Sequence, residues 1–273
     1  MVNYFRAMAG LPANVTFDPA LNVKCQEAAL MMIAEGSLSH SPGPGWACYT
    51  SDGAEAAGKS NLAIGRHGSA AVALGYMHDP GAGNTAVGHR RWILYPRQVA
   101  MGTGSNDARN GFFTGANALW VISGFGSRPP TPEWVAWPPA GYVPREIVYP
   151  RWSLSRNSSP GADFSGATVA MSEDGQPIGV TVLAVQNGFG DNTLVWEPSG
   201  LSFAAGQADR TIRVTVSNIM VGGSPRTFVY DVIVIDPDNE PTPTPGPSAA
   251  RGWSRYGDGP PPENPPRKRP SLD

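Results

Sequence analysis

Six short segments rich in β-branched residues follow one another between residues 148 and 235, and no other feature constrains the fold as strongly. They are Val148–Leu154, Ala167–Met171, Val180–Val185, Thr193–Glu197, Thr211–Val216 and Thr227–Ile235, separated by turn signals such as Asp174-Gly175 and Asn187-Gly188. The run Thr211-Ile212-Arg213-Val214-Thr215-Val216 alternates apolar and polar side chains, the period of a strand with one wet face. Six or seven short strands over about a hundred residues predict an all-β, sandwich-like domain, here spanning residues 131–236. Arg128-Pro129-Pro130 precedes it as a stiff linker.

The first 126 residues have a different character. Asp18-Pro19 is a strong helix start: the aspartate oxygen can cap free N–H groups, and the missing proline N–H costs nothing at the first helical position. Leu21, Cys25, Ala28, Ala29 and Met32 then recur at helical spacing, and Gly36 is a natural stop. A second, Ala-rich helix is predicted from Gly68 to Met77, ended by Asp79-Pro80-Gly81, with a Gly/Pro/Ser-rich loop from Ser41 to Ser60 before it. Trp92–Tyr95, Gln98–Gly102 and Ala118–Ile122 read as short buried strands. The fold class is α+β. Residues 237–273 are dominated by Pro, Thr, Gly and Ser and cannot bury enough apolar surface to offset their ordering entropy, so they are expected to be disordered.

Composition excludes several roles. The net charge is −2, and the only basic cluster, Arg267-Lys268-Arg269, lies among prolines in the tail, so nothing offers the clustered positive charge that nucleic acid requires. No apolar run is long enough for a transmembrane segment. Charged residues are only 15%, while Gly (33) and Pro (28) are abundant, which favours a secreted, extracellular protein. Met1 leads directly into Asn3-Tyr4-Phe5-Arg6, which reads as the end of an amphipathic helix and not as a signal peptide, so the targeting segment is expected to have been removed or the start to have been called late. Cys25 and Cys48 are the only cysteines, and an even count in an extracellular chain predicts a disulfide between them.

Chemistry-bearing motifs are few. The four histidines, His40, His67, His78 and His89, form no short metal spacing. No Gly-x-Ser-x-Gly elbow and no phosphate-cradling loop occurs. Trp134, Trp137, Trp152 and Trp196 are read as apolar core in preference to a glycan platform.

The order of certain motifs is more informative than any one of them. Asn3-x-x-Arg6 with Gly10-Leu11-Pro12 comes first, then Leu38-Ser39-His40-Ser41, then Gly58-Lys59-Ser60-Asn61-Leu62-Ala63. Tyr76-Met77-His78-Asp79 and Gly88-His89-Arg90-Arg91-Trp92 follow. This succession resembles the CAP superfamily (cysteine-rich secretory protein, antigen 5, pathogenesis-related 1) in its bacterial form, over roughly residues 1–105. The resemblance implies an α-β-α sandwich with a central cleft, which in many members holds two histidines and two glutamates, in some with a divalent metal. Here His40 and His89 match the histidines, Ser60 stands where the first glutamate belongs, beside Asn61, and Asp79 takes the second position. Two histidines and one carboxylate could still hold Zn²⁺, weakly, through His40 and His89. The resemblance implies a non-catalytic protein that binds a small apolar ligand, a lipid, a glycan, a protein or another cell-surface component through this cleft. The alternative is a metal-assisted extracellular hydrolase using His40 and His89, against which the loss of a carboxylate at Ser60 weighs.

Overall fold

Asp18 opens a 17-residue helix: its carboxylate accepts the Ala20 N–H at 2.8 Å, Pro19 fills the first position, and Gly36 closes the helix at φ +69°. The structure is a computed structural model and describes residues 1–111, 113–157 and 159–239. Of the expected disordered tail, Pro237–Asn239 forms a 3-10 turn, and everything from Glu240 onward lies outside the described residues.

The N-terminal elements are α1 (Val2–Met8), β1 (Thr16–Phe17), α2 (Pro19–Glu35), α3 (Ser51–Lys59) and β2 (Ser60–Ile64). Next come α4 (Gly68–Ala70), which continues as a π-helix over Ala71–Met77, then α5 (Gly88–Ile93), β3 (Ala100–Asn110) and β4 (Phe113–Trp120). The strands form one sheet in the order β1-β3-β4-β2, with β1 parallel to β3 and the other pairs antiparallel. Strand periodicity divides the core into two. Ala116, Ala118 and Trp120 face the helices α2 and α3, meeting Cys25, Ala28, Met32 and Ala56. Leu119 and Val121 face the other way, toward Phe5, Val72, Met77 and Ile93. Helices thus cover both faces of the sheet. The α2 helix lies so close to β3 that a Cβ at Gly104 would collide with the backbone of Cys25 and Gln26.

Two N-terminal expectations are corrected. The stretch from Ser41 to Ser60 is not all loop: Thr50 caps α3, its hydroxyl accepting the Gly53 N–H at 2.9 Å. The run Trp92–Tyr95 is not a strand, because Trp92 and Ile93 end α5. The Ile93 and Tyr95 carbonyls that a sheet would pair instead accept from the buried Arg6 guanidinium at 2.9 and 2.8 Å. A short apolar run fits a buried helix as well as a buried strand, and tertiary partners decide.

The β-rich region holds β5 (Trp134–Trp137), β6 (Gly141–Pro144), β7 (Trp152–Arg156), β8 (Ala162–Asp163) and β9 (Thr168–Glu173). It continues with β10 (Gln176–Ile178), β11 (Val180–Val182), β12 (Thr193–Pro198), β13 (Arg210–Val221) and β14 (Ser224–Ile235). One sheet runs β10-β9-β13-β14-β6, with β8 also on β13, and the other runs β11-β12-β7-β5. All pairings are antiparallel except β6 with β14. Trp152, Leu154 and Trp196 from the smaller sheet share a buried cluster with Ile212, Val214, Val216 and Val232 from the larger. Asp174 and Gly175, at φ +49° and +76°, make the two-residue turn between β9 and β10.

Strand β5 belongs to both halves. Ala136 faces the β-rich cluster, while Val135 and Trp137 enter the N-terminal one, where Trp137 meets Phe5 edge to face. Residues 1–239 accordingly form one compact unit, and the change of character near residues 127–130 is a change of secondary structure that the apolar core crosses. Trp137, Trp152 and Trp196 are fully buried, as core residues.

The expected disulfide is absent. Cys25 and Cys48 are both free, because α2 turns Cys25 into the core, with its Sγ 3.9 Å from Ser60 Oγ, while Cys48 is exposed on the loop before α3.

Candidate functional site

Helix α5 begins under strain. Val87, just before it, has φ +45°, a conformation rare for a β-branched residue, and Asp79 after the π-helix has φ +54°. These two turns bring Asp79 behind His89. The Asp79 carboxylate accepts the His89 backbone N–H at 2.9 Å and lies 2.7 Å from His89 Nδ1. A carboxylate oxygen accepts, so Nδ1 is the donor to Asp79 and, in the neutral ring, Nε2 carries the lone pair. From β2, the Asn61 amide donates to the His89 carbonyl at 3.0 Å. His89 is therefore held by side chain, N–H and carbonyl together.

The ring lines a cleft of about 270 Å³. His40, Ser60 and Asn61 line it too, so the structure brings four of the five expected cleft residues to one cavity. The fifth, Asp79, is fully buried on the far side of His89 and acts through it. His40 Nδ1 lies 2.9 Å from the Ala57 carbonyl, which fixes its proton on Nδ1 as well. Ser60 is the first residue of β2 and is buried, with its hydroxyl toward Cys25. Burial pushes the Cys25 thiol up to about 11, so it is protonated and unreactive at neutral pH.

These residues do not fit a zinc centre. Among the described residues no group of three His, Cys, Asp or Glu side chains is placed to hold a metal ion. The Asp79 oxygens are engaged by His89, and the two imidazole Nε2 atoms fall short of the three protein ligands of an ordinary zinc site.

The cleft also has walls beyond the five expected residues. Trp92, Val121 and Ile122 provide apolar surface, and Asn84 a polar amide. The remaining wall is the loop between β11 and β12, through Gln186, Gly188 and Phe189. Asn187-Gly188 was legible as a turn, but nothing local marks it as part of a site about a hundred residues upstream. Buried arginines join the parts. Arg91 donates to the Gln186 and Asp191 carbonyls at 2.7 and 2.8 Å, and Arg90 to the Met77 and Arg151 carbonyls at 2.7 and 2.8 Å. Desolvation lowers both guanidinium groups to about 10, which leaves them charged at neutral pH.

With the helical layers, central sheet and histidine cleft in place, comparison with known proteins is consistent. Residues 1–123 match the model of the cysteine-rich secretory protein family, CAP. The match supports a CAP domain in the N-terminal part of the chain, followed by a β-rich region of several antiparallel sheets. No curated protein matches the chain. Among solved structures, the methionine-rich copper resistance protein PcoC from Escherichia coli matches at 17% identity and TM-score 0.28, over 37% of this chain and 93% of that one. A likeness this slight says nothing about fold, metal or role here.

Proposed function

We propose that the protein is a secreted, non-catalytic CAP-domain protein that binds a small neutral molecule with an apolar body and a hydrogen-bonding group. The observation that carries this reading is the lining of the cleft. Among the described residues it is lined by no Lys, Arg, Asp or Glu, yet pairs Trp92, Val121, Ile122 and Phe189 with His40, His89, Asn61 and Gln186. The apolar surface with a few convergent polar groups is the common make-up of a small-molecule site and favours a neutral ligand over an ionic one. At about 270 Å³ the cleft lies at the small end for such sites. Low charge, abundant Gly and Pro, and the secretory family match support export. The β-rich region, whose two sheets share one apolar cluster, reads as a sandwich.

The test is fluorescence titration with the neutral dye phenylnaphthylamine and its anionic counterpart anilinonaphthalene sulfonate. The neutral dye should bind the wild type more tightly, and Trp92→Ala should weaken it; a preference for the anionic dye would count against the reading. Recovery of the protein from the medium of producing cells would test export.

One observation favours a hydrolase instead. A carboxylate behind His89 Nδ1 leaves Nε2 free to take a proton, as a general base must. Against it, no hydroxyl is hydrogen-bonded to His89 among the described residues. Ester turnover lost in His89→Ala but kept in His40→Ala would favour this second reading.

A further inference from the structure

We infer that Phe189, on the loop between β11 and β12, is the specificity-determining wall of the cleft and limits how long an apolar ligand can be. This rests on the binding reading above. Phe189 comes from the β-rich region, yet its ring lies against the start of α5, one residue from His89: a Cβ on Gly88 would come within 2.7 Å of the ring. Glycine at residue 88 thus makes room for the aromatic wall.

The ring is held by anchors on both sides. On one, the Gln186 amide donates to the Thr85 hydroxyl at 2.7 Å, tying the loop to the rim of the N-terminal part. On the other, Asp191 accepts from Arg91 through its carbonyl and from Arg128 through its carboxylate. The Arg91 guanidinium lies 5.4 Å from the centre of the Phe189 ring, and Gly190 rests on Tyr95. A loop whose residues are exposed or half-buried is thereby fixed where it faces the cleft. A fixed aromatic side chain closes a cavity by volume. It admits an apolar body that ends short of the ring and rejects one that must pass it, since each methylene that fits or fails in an apolar pocket changes affinity substantially.

The experiment is displacement of bound phenylnaphthylamine by a homologous series of straight-chain alcohols, with wild type, Phe189→Leu and Phe189→Ala. Circular dichroism verifies that the exposed-loop variants keep their fold. In the wild type, affinity should rise with chain length and then fall at a cutoff. Phe189→Ala should move the cutoff to longer chains and tighten binding of the first excluded alcohol by about ten-fold or more, with Phe189→Leu between. If wild type and both variants bind the alcohols with the same cutoff, Phe189 is not the wall, whatever the binding function. If no protein binds the dye or any alcohol, the binding reading fails and takes this inference with it.

Discussion

The Asp79 carboxylate grips His89 twice, through the backbone N–H at 2.9 Å and through Nδ1 at 2.7 Å, from a position with no solvent exposure. Asp79→Asn tests the arrangement with little disturbance of the backbone, because asparagine tolerates the left-handed conformation this residue adopts. The amide oxygen can keep one bond, but its NH₂ must then face the other donor. We predict a loss of about 1–3 kcal/mol in urea unfolding, the cost of an unsatisfied buried polar group. Nitrogen chemical shifts of His89 should show its proton no longer confined to Nδ1. An unchanged tautomer and unchanged stability would mean the pair does not hold the ring.

Thiol reactivity checks the cysteines. Cys48 is exposed, whereas Cys25 is buried with its thiol raised to about 11. Unreduced native protein should react at Cys48 alone, and at both residues once denatured. Absence of reaction in both states would restore the disulfide.

Glycine at residue 104 is required by the contact between α2 and β3. Gly104→Ala drives a methyl group into the backbone of Cys25 and Gln26 and should cost about 1–3 kcal/mol or more. Gly45→Ala, which faces open space, is the control and should leave the melting temperature unchanged.

The Phe5–Trp137 contact, with ring centroids 5.3 Å apart, predicts that residues 1–239 melt in a single transition. Trp137→Ala should cost about 3–5 kcal/mol and lower that transition as a whole. A fragment of residues 131–236 should melt without cooperativity, since Val135 and Trp137 would lose the core they enter. Cooperative melting of the fragment would establish the β-rich region as an independent domain.

His78 makes stability depend on pH. It stacks on Tyr149 at 5.1 Å, and its pKa is lowered from 6.5 by burial first, then by Arg90, Arg66 and Arg151, with Asp79 opposing. The unfolded chain therefore takes up this proton more readily than the folded one. The stabilisation is complete above about pH 6.5 and is lost as pH falls toward the lower folded value. The melting temperature should drop between pH 7 and pH 5, and His78→Phe, which keeps the stacking, should flatten that drop.

Elements whose signals are local follow from the residues alone. Asp18, Pro19 and Gly36 bound α2 because capping, a proline at the first turn and a left-handed glycine act within a few residues. Asp174-Gly175 formed the expected turn, and the alternation from Thr211 to Val216 lies within β13. His40, Ser60, Asn61 and His89, singled out by motif order, line one cavity. The remaining features depend on groups distant in the chain. Arg6 takes the carbonyls that would have made Trp92–Tyr95 a strand; Asp79 serves His89 instead of the cleft; Cys25 faces Ser60 instead of Cys48. Phe189 becomes a wall of the cleft only because Arg91 and Thr85, about a hundred residues earlier, hold its loop there. Hydrogen bonds and packing across that separation leave no local periodicity or turn signature, so they become visible only when the chain is folded.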